Sequence, residues 1–97
     1  MVEHLVIFKF NENASDSNKI NMLNSLNNLK NEISEIKDLS CGENFTARSQ
    51  GFGFGLRVLF ESESELNIYL EHPAHVKVVN EVIKPIISDL LVIDYQK

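Results

Sequence analysis

The densest chemistry in the chain lies in Tyr69-Leu-Glu-His72-Pro-Ala-His75. A phenol hydroxyl donates a hydrogen bond, and an imidazole titrates near neutral pH. Together they suit proton transfer beside a polarised carbonyl. His72 and His75 stand three apart, but helical zinc sites usually space histidines by four, and no third ligand is evident. His72 precedes Pro73 and reads as a helix cap, because Pro is favoured at the first helical position. His75 then falls on the early, electropositive turn, which disfavours imidazolium and points to a neutral base. The alternative is a hydrogen-bonded structural histidine. Tyr69 sits at helical spacing, either as core with a satisfied hydroxyl or as a pocket donor. His4 interrupts an apolar strand face and needs a partner if buried. Asp94 is the candidate partner, and such pairs are commonly structural.

Other motifs are absent. Gly51-Phe-Gly53-Phe-Gly55 has the third glycine at the wrong spacing for a dinucleotide site and precedes a strand instead of a helix. These glycines fit a loop and a bent strand start. There is no phosphate loop, no Gly-x-Ser-x-Gly elbow and no His-Glu-x-x-His, and no cofactor is expected.

These residues must be positioned by the elements around them. Val2 to Phe10 is β-branched and aromatic, hence a strand. A polar loop follows, with Ser15, Asp16 and Ser17 as candidate N-caps. Ile20, Leu23, Leu26, Leu29, Ile33 and Ile36 recur at helical spacing, with Met22 widening the stripe. The opposite face is rich in Asn, a mediocre helix former, so packing must hold this helix. Lys37 to Thr46 is a weaker extended stretch in which Gly42 suggests a bulge or bend. Phe52 to Glu61 is a strand. Ser62-Glu-Ser-Glu65 matches a capping box before a short helix carrying Leu66, Tyr69 and Leu70. A break at Glu71 to Pro73 lets Leu70 and Val76 point into one core and swings His75 toward the sheet. Val76, Val79, Val82 and Ile83 continue helically until Pro85 kinks or ends the helix. Leu90 to Tyr95 is the last strand. The order β-α-β-β-α-β predicts an α+β, ferredoxin-like fold with a four-stranded antiparallel sheet and both helices on one face.

With 97 residues the chain is expected to form a single domain, residues 1–97. Fourteen acidic residues against nine Lys and Arg give a net charge of −5 and no basic face, which argues against nucleic-acid partners. The longest apolar runs are far short of the ~20 residues that span a bilayer, so no membrane partner is expected. Glu3 and His4 within a strand-like alternation argue against a signal peptide. Cys41, the one cysteine, excludes an intrachain disulfide and a Cys-based zinc site and points to a reducing, cytoplasmic location.

One face of a helix-covered sheet should be polar, yet both faces here carry apolar side chains. Even-numbered Val2, His4, Val6 and Phe8 are backed by odd-numbered Leu5 and Ile7. Phe54, Leu56, Val58 and Phe60 are backed by Leu59, and Leu90 and Val92 by Leu91, Ile93 and Tyr95. Helices cover only one face, so the remaining patch is too large for a monomer. A two-fold homodimer through Leu5, Ile7, Leu59, Leu91 and Ile93 is the expected remedy.

Four segments, His4-Leu-Val-Ile-Phe-Lys-Phe10, Gly51 to Ser62, His72-Pro-Ala-His75-Val and Leu91-Val-Ile-Asp-Tyr95, resemble the stress-responsive A/B barrel domain (Dabb) family in order and spacing. The resemblance implies a dimeric α+β barrel. Family members include plant stress proteins and a cofactor-free polyketide cyclase. Its Tyr and His functional pair falls on Tyr69 and His75, and its strand-one His and last-strand Asp on His4 and Asp94. The match also puts Val6, Phe8, Leu56, Val58 and Val92 on the pocket side. Phe54 replaces a pocket His and Leu26 a pocket Tyr, so the pocket should be more apolar and smaller, and substrate identity does not carry over.

Three function classes follow. One is a homodimer with a small apolar pocket per subunit that binds a small aromatic or polyketide-like molecule. Another is a cofactor-independent cyclase or lyase using His75 and Tyr69. The third is a structural, stress-protective protein. Convergence of Tyr69, His75, His4 and Asp94 on one cavity favours the first two. A cavity filled by Phe8, Met22 and Phe54 favours the third.

Overall fold

Alternation of β-branched and aromatic residues produces the first strand where expected, β1 (Val2–Phe10). A computed structural model describes the whole chain, Met1–Lys97. After β1 come α1 (Asp16–Glu32), β2 (Asp38–Glu43), β3 (Phe54–Phe60), α2 (Glu63–Glu71), α3 (Pro73–Val78) and β4 (Ile87–Gln96). The sheet order is β2-β3-β1-β4 and every neighbouring pair is antiparallel, a ferredoxin-like arrangement. Helices pack on the even-numbered face, where Val2, Val6, Phe8, Phe54, Leu56, Val58 and Phe60 are buried.

α1 starts where Ser15 Oγ accepts the Asn18 N–H and ends earlier than its apolar spacing suggests. Ile33 is already extended, and its N–H closes the last turn on Leu29 O at 2.9 Å. Ile33 and Ile36 are buried from non-helical backbone that carries the chain down to the sheet. Ile20, expected in the stripe, is exposed. Steps of three drift around a helix of 3.6 residues per turn. Ile20 and Leu29 are nine residues apart, two and a half turns, and therefore face opposite ways. The stripe that packs is Met22, Leu26 and Leu29.

Gly42 makes no bulge, since β2 runs in unbroken register with β3 from Asp38↔Leu59 to Glu43↔Phe54. The irregularity lies instead between Lys9 and Phe10, opposite β4. β3 begins at Phe54 and not Phe52, because the preceding loop closes through Gln50 and Gly51, both at positive φ, with Phe52 N–H on Ser49 O. Phe45 projects from this loop fully exposed. The capping box is only half formed. Glu65 Oε2 accepts the N–H of Glu61, one residue early, and the Ser62 side chain caps nothing.

The break before Pro73 is present. His72 is extended (φ −62°, ψ 133°), and its Nδ1 accepts the Ala74 N–H at 3.1 Å, capping α3. Leu70 and Val76 do not meet in one core as expected, for both remain largely exposed. α3 gives way to a π-helical turn, Val79–Ile83, in which Lys84 N–H reaches back five residues to Val79 O. Pro85 lies in the single 3₁₀ turn that follows, Lys84–Ile86. Proline removes a donor and crowds the preceding turn, and the helix is already widened when it arrives.

β4 is longer than its apolar core, and no helix covers it. Leu90 and Val92 on the helix side are 43% and 45% exposed, much like Leu91 and Ile93 at 51% and 52% on the other. On that outer face, Glu3 is buried beneath Arg57, whose Nε and Nη2 donate to its two oxygens at 2.8 and 2.9 Å while Nη1 donates to Asp38. No helix is long and apolar enough to cross a membrane.

Candidate functional site

Three elements bring the ring side chains together. β1 presents His4, α2 presents Tyr69 near its C-terminus, and the turn at His72 re-aims the chain so that α3 returns His75 to the same place. The His75 and Tyr69 ring centroids are 4.3 Å apart with the planes tilted by 40°. The His4 ring meets Tyr69 edge-on at 5.9 Å, and Phe60 closes the other side at 5.0 Å.

Hydrogen bonding assigns the protons. His75 Nδ1 lies 3.1 Å from the Leu70 carbonyl oxygen. A carbonyl only accepts, so Nδ1 carries the hydrogen and Nε2 presents a bare lone pair. Burial lowers the His75 pKa from its ordinary 6.5, with the Leu70 bond opposing and His4 and His72 adding to the fall. The neutral state expected from helix polarity therefore has a different main cause, loss of solvent, and α3 is only six residues long. His4 Nδ1 donates to Asp94 Oδ1, across the antiparallel register that pairs the two residues. Tyr69 is wholly buried, and burial pushes its phenol pKa well above the usual value. Its hydroxyl keeps its proton, has no hydrogen-bond partner, and is shut off from solvent.

Beside these rings lies a cavity of about 150 Å³. β1 contributes His4, Val6 and Phe8 to its wall, β3 contributes Leu56, and β4 contributes Leu90 and Val92. Leu26, Tyr69, Leu70 and His75 face it from the helices, and Val79 and Ile83 from the π turn. Three expected pocket residues are not on the wall. Phe54 and Val58 are packed solidly in the core, and Asp94 reaches the site only through His4. The register explains the difference. Val6 stands in one row with Leu56 and Val92, and all three line the cavity. One row away on either side, β3 lies under the helices and its side chains are filled in. Neither Met22 nor Phe54 occupies the cavity wall.

Four wall residues were not anticipated: Leu70, Val79, Ile83 and Leu90. Leu90 shares the even class of Val92 and was readable from parity. Val79 and Ile83 were visible as helical spacing but look like ordinary core until the π turn re-aims them. No three His, Cys, Asp or Glu side chains cluster as a metal site would require.

The model of one family, the stress responsive A/B barrel domain, matches residues 2–97. The chain belongs to that family. Among curated relatives, stress-response A/B barrel domain-containing protein DABB1 of Arabidopsis thaliana is 37% identical over 98 residues, covering 98% of this chain. The chain spans only 46% of that relative's length. Olivetolic acid cyclase of Cannabis sativa is 31% identical over 96 residues, covering 97% of this chain and 94% of the cyclase. An Arabidopsis thaliana crystal structure superposes with TM-score 0.90 at 26% identity, covering 100% of this chain and 95% of that one. A dimeric ferredoxin-like protein from Thermobifida fusca has TM-score 0.89 at 19% identity, covering 99% and 90%. Hydroxynitrile lyase from Passiflora edulis has TM-score 0.88 at 20% identity, covering 97% and 90%. These last two likenesses establish the fold of this A/B barrel domain.

Proposed function

We propose that residues 1–97 act as one A/B barrel domain that pairs with a second copy in the cytoplasm and binds a small molecule in an apolar pocket of each subunit. The observation carrying the binding reading is an apolar cavity beside which two imidazoles and a partnerless phenol hydroxyl converge. Buried polar groups normally find partners, and a mostly apolar cavity with a few convergent polar groups is the usual form of a ligand site. Pairing is supported by the uncovered outer sheet face with Leu5, Ile7, Leu59, Leu91 and Ile93, and by relatives of the same fold described as dimeric. The single cysteine suits a reducing compartment. A ligand-observed NMR screen of uncharged metabolites tests the binding reading. Hits should lose binding when the cavity is filled by Val6→Phe, and a screen without hits counts against it.

A second reading, a cofactor-independent cyclase or lyase, is favoured by the bare Nε2 of His75 beside Tyr69. In it His75 Nε2 removes a proton adjacent to a substrate carbonyl. The electron pair moves onto the carbonyl oxygen, and the Tyr69 hydroxyl donates to the developing oxyanion. Olivetolic acid cyclase, by its name, does cyclase chemistry on a chain of nearly the same length. On any substrate found, His75→Ala should lower turnover by roughly 10²–10⁴-fold with the fold intact. Wild-type turnover in that variant removes the catalytic assignment.

A further inference from the structure

We infer that the cavity selects an uncharged, single-ring compound that carries a hydrogen-bond acceptor and, at a separate position, a donatable proton: a phenolic or enolisable ring carbonyl. The inference deepens the small-molecule reading and rests on it. Size sets the first limit. A cavity of about 150 Å³ is the size that accommodates one benzene when lined by aliphatic and aromatic side chains. Val6, Phe8, Leu26 and Leu56 supply such a lining, leaving room for a ring with short substituents; the mouth beside Leu90 and Val92 is open, so the limit falls on a tail attached to the carbonyl that is held at buried Tyr69.

Charge sets the second limit. No Lys, Arg, Asp or Glu lines the cavity, and Asp94, behind His4, is already engaged by it. A ligand carboxylate would be stripped of water with no Lys or Arg to meet it, and a ligand ammonium would find no free carboxylate.

The hydrogen-bonding pattern sets the third. His75 donates through Nδ1 to Leu70 O, which leaves its Nε2 as an acceptor, while His4 is committed through Nδ1 to Asp94. Tyr69 offers the opposite, a buried donor with nothing to donate to. The complementary ligand brings a proton for an imidazole nitrogen and an oxygen for the phenol. The side chains that now cover the hydroxyl have to shift for that oxygen to reach it.

The test is a titration of the isotopically labelled full chain with three probes sharing one head group: 3-hydroxybenzaldehyde, 3-hydroxybenzoate and hexyl 3-hydroxyphenyl ketone. The aldehyde should give saturable NMR shifts centred on Val6, Leu56 and Val92. It should bind at least about tenfold more tightly than either the carboxylate or the long-tailed ketone. Tyr69→Phe should weaken the aldehyde by at least about fivefold. Binding of the carboxylate or the long ketone as tightly as the aldehyde overturns the ligand class and leaves the binding reading standing. No shift with any of the three overturns the ligand class, and together with an empty metabolite screen it overturns the binding reading as well.

Discussion

Tyr69→Phe should make the protein more stable. The Tyr69 ring packs against Phe60, His75 and His4 at centroid separations of 5.0, 4.3 and 5.9 Å, and phenylalanine keeps every one of those contacts. What the change removes is a hydroxyl that is wholly buried and unpartnered. In the unfolded chain that hydroxyl is hydrated, so folding loses its water bonds and gains none. Leaving such a group unsatisfied costs about 1–3 kcal/mol. After allowing for a small void where the oxygen was, the expected gain is about 1 kcal/mol. For a chain of this size that raises the melting temperature by about 4–8 °C. Urea unfolding should be run at one fixed protein concentration, because self-association makes apparent stability depend on it. In the Ile93→Asp monomer, Tyr95→Phe serves as the control, since Tyr95 is exposed on the single chain and the change should stay within about 0.5 kcal/mol. A loss of about 0.5 kcal/mol or more in Tyr69→Phe would show that the hydroxyl is satisfied, and the picture of a donor kept waiting for a ligand would fall. The expected pairing of higher stability with weaker ligand binding is the pattern of a site held in tension for function.

Other outcomes follow from the same geometry. Sedimentation equilibrium at micromolar concentration should give about twice the 11.1 kDa chain mass, and Ile93→Asp should reduce it to one chain; a folded wild-type monomer there refutes the pairing. Because burial holds the His75 pKa below 6.5, the unfolded chain takes up a proton that the folded chain refuses. Stability should therefore fall as pH drops through about 6.5 and level off below the folded pKa; His75→Gln should flatten that slope in urea midpoints measured from pH 8 to pH 5, and an unchanged slope counts against the assignment. His72→Ala removes the Nδ1 cap on Ala74 N–H and should cost about 0.5–2 kcal/mol in the same assay, while no loss means water caps α3 equally well. Phe45→Ser, at a fully exposed site, should change the stability of the Ile93→Asp monomer by less than about 0.5 kcal/mol, and a larger loss would show that the loop packs on its own chain.

Patterns with a rigid local period were legible without coordinates. A strand's period of two assigned Val6, Leu56 and Val92 to one face and named Asp94 as the partner of His4, and the antiparallel register delivers both. Pro73 marked the helix break because a fixed φ and a missing N–H act wherever the residue stands. The resemblance carried Tyr69 and His75 as a pair. What the sequence left open depended on phase and on neighbours far along the chain. Ile20 matched a spacing of three, but only packing against the sheet decided which side of α1 was buried. Gly42 permitted a bend that its β3 partners did not require. Parity put Phe54, Val58 and Val92 in one class, yet the helices fill the space over the first two and leave it open over the third. The π turn that aims Val79 and Ile83, the desolvation that keeps His75 neutral, and the stranded hydroxyl of Tyr69 belong to no local pattern. A cavity is the space that non-adjacent side chains fail to fill, so its size and its unmet hydrogen bonds are decided only when the whole chain has packed.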